Sequence, residues 1–150
     1  MKRPYVILAV ALAVTAGAVT VASAKPSIPS ARSSSAATVQ LRHTSLGSIL
    51  VSSSGRTLYE FTRDHANKSS CASIRGCSEI WPSLRANGRP TAGSGVRASL
   101  LSTSGGQVTY AGHPLYLYSG DSGPGKTSYV GVKQFGGSWY ALNASGGAVK

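Results

Sequence analysis

A chain of 150 residues carrying 15 Lys and Arg against 4 Asp and Glu has a formal charge of +11. That length suits one ordinary domain and is too short for two good cores. The four carboxylates, Glu60, Asp64, Glu79 and Asp121, are too few for an acid-rich cation site and leave little for paired acid–base chemistry.

The N-terminus opens with Lys2 and Arg3, continues through an apolar run at 6–21 and reaches Ala22-Ser23-Ala24. This is the pattern of a secretory signal peptide, residues 1–24, cleaved after Ala24. The alternative is retention as an anchor, which needs about 20 apolar residues; Thr15, Gly17 and Thr20 dilute the run. In either case the rest of the chain lies outside the cytoplasm, and after cleavage the mature form has no transmembrane helix. Cleavage removes Lys2 and Arg3 from the 15 basic residues, and 13 minus 4 acids leaves +9. Residues 25–37, rich in Ser, Ala and Pro, hold almost nothing that could be buried and read as a disordered spacer.

A single β domain is expected from 38 to 150. Alternating or β-branched runs predict strands at 39–42 and 48–52, then a tight turn at 53–56 into a strand at 57–62. The same grammar returns with a strand at 107–110, a turn at Ala111-Gly112 and a strand at 113–119. Further strands are predicted at 128–133 and 138–142, with residues 85–95 as a long surface connection. One or two helical turns are expected around 78–81, stopped by Pro82.

These segments form an internal repeat, about 46–84 and 103–142. Thr57-Leu-Tyr-Glu-Phe-Thr-Arg-Asp64 is echoed 57 residues later by Pro114-Leu-Tyr-Leu-Tyr-Ser-Gly-Asp121. In a strand Tyr59 and Phe61 face one way and Leu58 and Glu60 the other, with Tyr116 and Tyr118 against Leu115 and Leu117 in the copy. An isolated hairpin is marginal in water, so the two copies should pack together. The expected fold is all-β, a small antiparallel sandwich or barrel with approximate twofold symmetry between repeats. Trp81 and Trp139 would cap equivalent ends of its core.

The two copies resemble a bacterial family of secreted repeats, many of them lipoproteins, defined by Tyr, four arbitrary residues and Asp, with no established biochemical function. Many relatives carry lipid on a cysteine just after the signal; here the first is Cys71, so no lipid anchor is expected. Cys71 and Cys77 are the only cysteines, lie outside the cytoplasm, and pair by default as a disulfide. Their position before Trp81-Pro82 also resembles the family, with a longer spacer.

The motif residues Tyr59, Phe61, Asp64, Tyr116, Tyr118 and Asp121 admit a structural or a ligand-binding role. Asp64 and Asp121 stand at strand exits, where a carboxylate fixes a turn by accepting backbone N–H groups. A buried tyrosine hydroxyl needs a partner, and the Asp of its own or of the other repeat is the natural one. His43, His65 and His113 lack metal-ligand spacing, and no haem-attachment motif or other cofactor signal is present. His113 reads as an exposed turn residue. No nucleophile motif is present, and two carboxylates in equivalent settings do not split into acid and base, so an enzyme is not expected. The basic residues Arg56, Arg63, Arg75, Arg85 and Arg89 suggest a face for an anionic cell-wall polymer or membrane surface rather than nucleic acid. The alternative is a small-ligand or redox-cofactor module using a cleft beside the Tyr and Asp motif.

Overall fold

The computed structural model describes residues 37–150; the signal-peptide segment 1–24 and all of the spacer before Ala37 lie outside the described residues. Ten short strands follow one another: β1 Thr38–Thr44, β2 Gly47–Ser52, β3 Tyr59–Phe61, β4 Thr91–Ala92, β5 Leu101–Ser104, β6 Gln107–Tyr110, β7 His113–Pro114, β8 Lys133–Gln134, β9 Gly137–Leu142 and β10 Ala148–Val149. They make three small open sheets, ordered β2-β1-β4, β10-β9-β3 with β8 also on β9, and β5-β6-β7. The helix α1, Cys77–Ile80, is a single turn that ends before Pro82, as the ring of a proline requires.

Local turn chemistry explains the hairpins. Between β6 and β7, Ala111 and Gly112 both adopt positive φ, 50° and 83°, the mirror-image turn whose twist matches right-twisted strands. The equivalent turn after β2 has one left-handed residue, Gly55. Its register consequently differs: Leu58 N–H donates to Leu50 O, whereas Leu115 N–H donates to Val108 O, the counterpart of Val51. The two hairpins therefore do not superpose residue for residue.

Three sequence expectations need correction. Residues 128–133 are mostly turn, with Val130 N–H on Thr127 O, Val132 N–H on Tyr129 O and Gly131 at φ 81°, so that only Lys133 belongs to a strand. The connection at 85–95 contains β4, which pairs in parallel with β1. The tryptophans do not cap opposite ends of the core. Their rings stack on each other at its centre, centroids 3.6 Å apart and planes within 2°.

The repeats are interleaved. β3 of the first copy pairs with β9 of the second, Phe61 opposite Trp139. In return the second motif segment pairs with the first copy's segment after Trp81, Leu84 N–H on Leu115 O and Leu117 N–H on Pro82 O. Between them Tyr59 and Tyr116 exchange backbone hydrogen bonds of 2.9 and 3.0 Å.

The motif segments are thus buried on both faces. Leu58 and Leu115 enter an aliphatic cluster with Val39, Leu50, Val108 and Leu142. Tyr59, Phe61 and Tyr116 enter an aromatic cluster with Trp81, Trp139 and the disulfide. This is the alternation that a two-residue period dictates.

Candidate functional site

The strand ends at Phe61 and the chain turns, Asp64 N–H donating to Phe61 O at 2.9 Å, which by itself does not decide which tyrosine each carboxylate meets. The pairing of Tyr59 with Tyr116 resolves this by bringing each tyrosine to the other repeat's carboxylate. Tyr59 donates to Asp121 Oδ2 at 2.8 Å, and Tyr116 donates to Asp64 Oδ2 at 2.7 Å. The aromatic contacts are reciprocal as well. Phe61 stacks on Trp139 and Tyr118 leans on Trp81, with centroids 4.2 and 4.8 Å apart. Tyr59 meets Trp81 edge-on and Tyr116 meets Trp139 edge-on, both at 5.3 Å. Each such pair contributes roughly 0.5–1.5 kcal/mol beyond its burial.

The two carboxylates differ in their remaining partners. Asp64 also accepts the Ser70 N–H at 2.7 Å, which ties the first motif to the disulfide loop. Burial pushes its carboxyl above the ordinary carboxylate range, against the opposing pull of the Ser70 N–H and the Tyr116 hydroxyl. Asp121 is 5% exposed, and its Oδ1 has no partner among the described residues. Both hydroxyls are pushed well above the ordinary tyrosine range. The main cause is burial in each case; a hydrogen bond to the facing carboxylate adds to it. Each hydroxyl donates to the carboxylate of the other repeat.

Beside the Tyr116–Asp64 pair lies a cavity of about 230 Å³, lined by Asp64, His65 and Ala66 from the first repeat and by Ala111, Gly112, His113 and Pro114 from the second. Asn67 N–H closes one side on Gly112 O at 2.7 Å. His113 is not simply an exposed turn residue. Its Nδ1 lies 2.5 Å from Glu60 Oε2, and Glu60 is almost fully buried beneath it. That hydrogen bond and the carboxylate charge hold the imidazole above its usual pKa, although burial pulls the other way. Two of the four acids and two of the three histidines therefore gather at or beside one cavity. Among the described residues, no group of three or more His, Cys, Asp or Glu is arranged to hold a metal ion.

Cys71 and Cys77 form a disulfide with Cα atoms 5.4 Å apart, both fully buried. It clamps the loop that supplies Ser69 and Ser70 to the Tyr116–Asp64 pair.

The five arginines singled out from sequence do not form one uniform face. Arg56, Arg63 and Arg85 each donate to a carbonyl of the second repeat or of its edge: Tyr118 O at 2.5 Å, Phe135 O at 2.8 Å and Gly105 O at 3.0 Å. Phe135 sits at φ 56°, uncommon for a bulky residue, and the Arg63 bond holds that turn. Arg75 and Arg89 are exposed. Sequence reasoning missed Glu60 and His113 as a pair because they lie 53 positions apart. It also passed over Arg42 and Lys126, which neither the repeat nor the charge-dense stretch marks.

Residues 101–143 match the family model described as a secreted repeat of unknown function, a span that contains the second motif copy and Trp139. No curated protein and no solved structure matches the chain. Among the described residues no helix is long and apolar enough to cross a membrane.

Proposed function

We propose that the chain is an exported, non-catalytic module of the cell envelope whose basic surface meets anionic polymers. The carrying observation is an unneutralised positive charge. Residues 37–150 keep 11 of the 15 Lys and Arg, the others being Lys2, Arg3, Lys25 and Arg32, against all 4 acids. Among the described residues the one ion pair within 4 Å is His113 with Glu60, so no Arg or Lys there has a carboxylate partner. A surface of this kind attracts polyanions over a Debye length, about 10 Å at 0.1 M salt. The motif tyrosines are meanwhile bonded to the motif carboxylates and the motif rings pack on Trp81 and Trp139, which supports a role in holding the fold. Co-sedimentation with purified cell walls tests the reading. Binding at low salt should fall steeply at high salt, and absence of binding at low salt would refute it.

The cavity favours a second reading, a small-ligand module. Asp64 is the motif residue that lines it, beside His65 and His113, so a ligand there would be small and polar. A fragment screen followed by NMR decides this reading: shifts confined to 64–66 and 111–114 support it, and none refutes it.

A further inference from the structure

Arg42 leaves β1 and lies across two other loops. A methyl group added at Gly55 would stand 2.9 Å from Arg42 Nη2, and one at Gly125 would stand 3.1 Å from Arg42 Cδ. The side chain therefore lies in close contact over both glycine backbones. Those loops are joined: Gly125 N–H donates to Gly55 O at 2.9 Å, and Thr57 Oγ1 donates to Lys126 O at 2.5 Å. The residue after each glycine is a cation, Arg56 and Lys126. Arg56 is held by Tyr118 O, whereas among the described residues Arg42 donates to no protein acceptor and none of the three has a carboxylate within 4 Å.

We propose that Arg42, Arg56 and Lys126 form a site for the phosphodiester groups of an anionic wall polymer, an inference that rests on the polyanion reading above. A guanidinium offers a planar fork that fits two phosphate oxygens, and seating on two backbones reduces the freedom it loses on binding. Arg42 on β1 and the two loop cations Arg56 and Lys126 make three positive charges with no carboxylate within 4 Å, so repulsion among them is relieved when a phosphate enters. A polymer fits better than a bilayer. Leu46 and Val132 are the exposed large apolar side chains among the described residues, and neither lies on these loops, so the patch lacks the apolar wedge of a membrane-surface binder.

The test titrates the purified protein with soluble poly(glycerol phosphate) by calorimetry, and in parallel with phosphatidylglycerol vesicles. Arg42→Gln/Lys126→Gln is compared with Lys68→Gln/Lys133→Gln, which removes the same charge from exposed positions elsewhere. The loop variant should bind the polymer about 30-fold more weakly and the control less than about threefold. Arg42→Lys, which keeps the charge and loses the fork, should fall between. Thermal melting of each variant establishes that it is folded before affinities are compared. Equal losses in the two double variants would show diffuse electrostatics and overturn the site. Preference for vesicles over polymer would overturn the polymer as partner. Failure of the unmodified protein to bind either would overturn the polyanion reading itself.

Discussion

Removing one hydroxyl from each crossed pair should expose how unequal the two pairs are. Tyr59→Phe keeps the ring against Trp81 but takes from Asp121 its hydrogen-bonding side-chain partner. Asp121 is 5% exposed and its Oδ1 is already unpartnered, so a buried carboxylate would be stranded. The cost should be about 2–4 kcal/mol. Tyr116→Phe leaves Asp64 with the Ser70 N–H at 2.7 Å and partial solvent access, and should cost about 0.5–1.5 kcal/mol. For a domain of this size the first corresponds to a fall in Tm of roughly 8–16 °C and the second to roughly 2–6 °C. Thermal and urea unfolding of the two variants measure this. Adding Asp121→Asn to Tyr59→Phe should recover part of the loss by removing the stranded charge. Equal losses, or a larger loss for Tyr116→Phe, would refute the assignment of Asp121 as the poorly solvated partner.

The His113–Glu60 pair should make stability depend on pH. Because the folded imidazole has a pKa raised above 6.5, its contribution is fully present below pH 6.5 and is lost as pH rises through the raised value. With His113 partly exposed the effect should stay below about 1 kcal/mol, and His113→Gln should flatten the difference in Tm between pH 6 and pH 8. Asp64, an acid with a raised folded pKa, also loses contribution as pH rises, but in the window just above 3.8. Replacing both cysteines by serine should cost about 2 kcal/mol through loop entropy alone, read by denaturation, with binding to cell walls retained per folded molecule. Gly137→Ala should cost about 1–3 kcal/mol. Its Cβ would stand 2.6 Å from a ring carbon of Phe61, which is pinned against Trp139 and cannot give way. A melting temperature unchanged in that variant would show that the stack is looser than its geometry requires.

Much of this was legible in the sequence, because it depends on neighbours along the chain. The two-residue period placed Tyr59 and Phe61 on one face and Leu58 on the other, and the structure puts them in separate clusters. Pro82 stopped the helix, and Ala111-Gly112 made the turn. Two cysteines six positions apart met as a disulfide. The resemblance carried by the repeated Tyr and Asp agrees with the family match at 101–143. The mostly β architecture follows from the same local patterns.

What the sequence could not supply was the choice among equivalent partners. A repeat offers two tyrosines and two carboxylates of the same kind, and nothing local distinguishes bonding within a copy from bonding between copies. Only the pairing of Tyr59 with Tyr116 decided for exchange, and with it the stacking of Trp81 on Trp139 at the centre of the core. The same long-range pairing set Glu60 under His113 and laid Arg42 over Gly55 and Gly125. Periodicity decides which face a side chain takes; which other segment lies against that face is settled by packing the whole chain, since the free energy of burial depends on every partner at once.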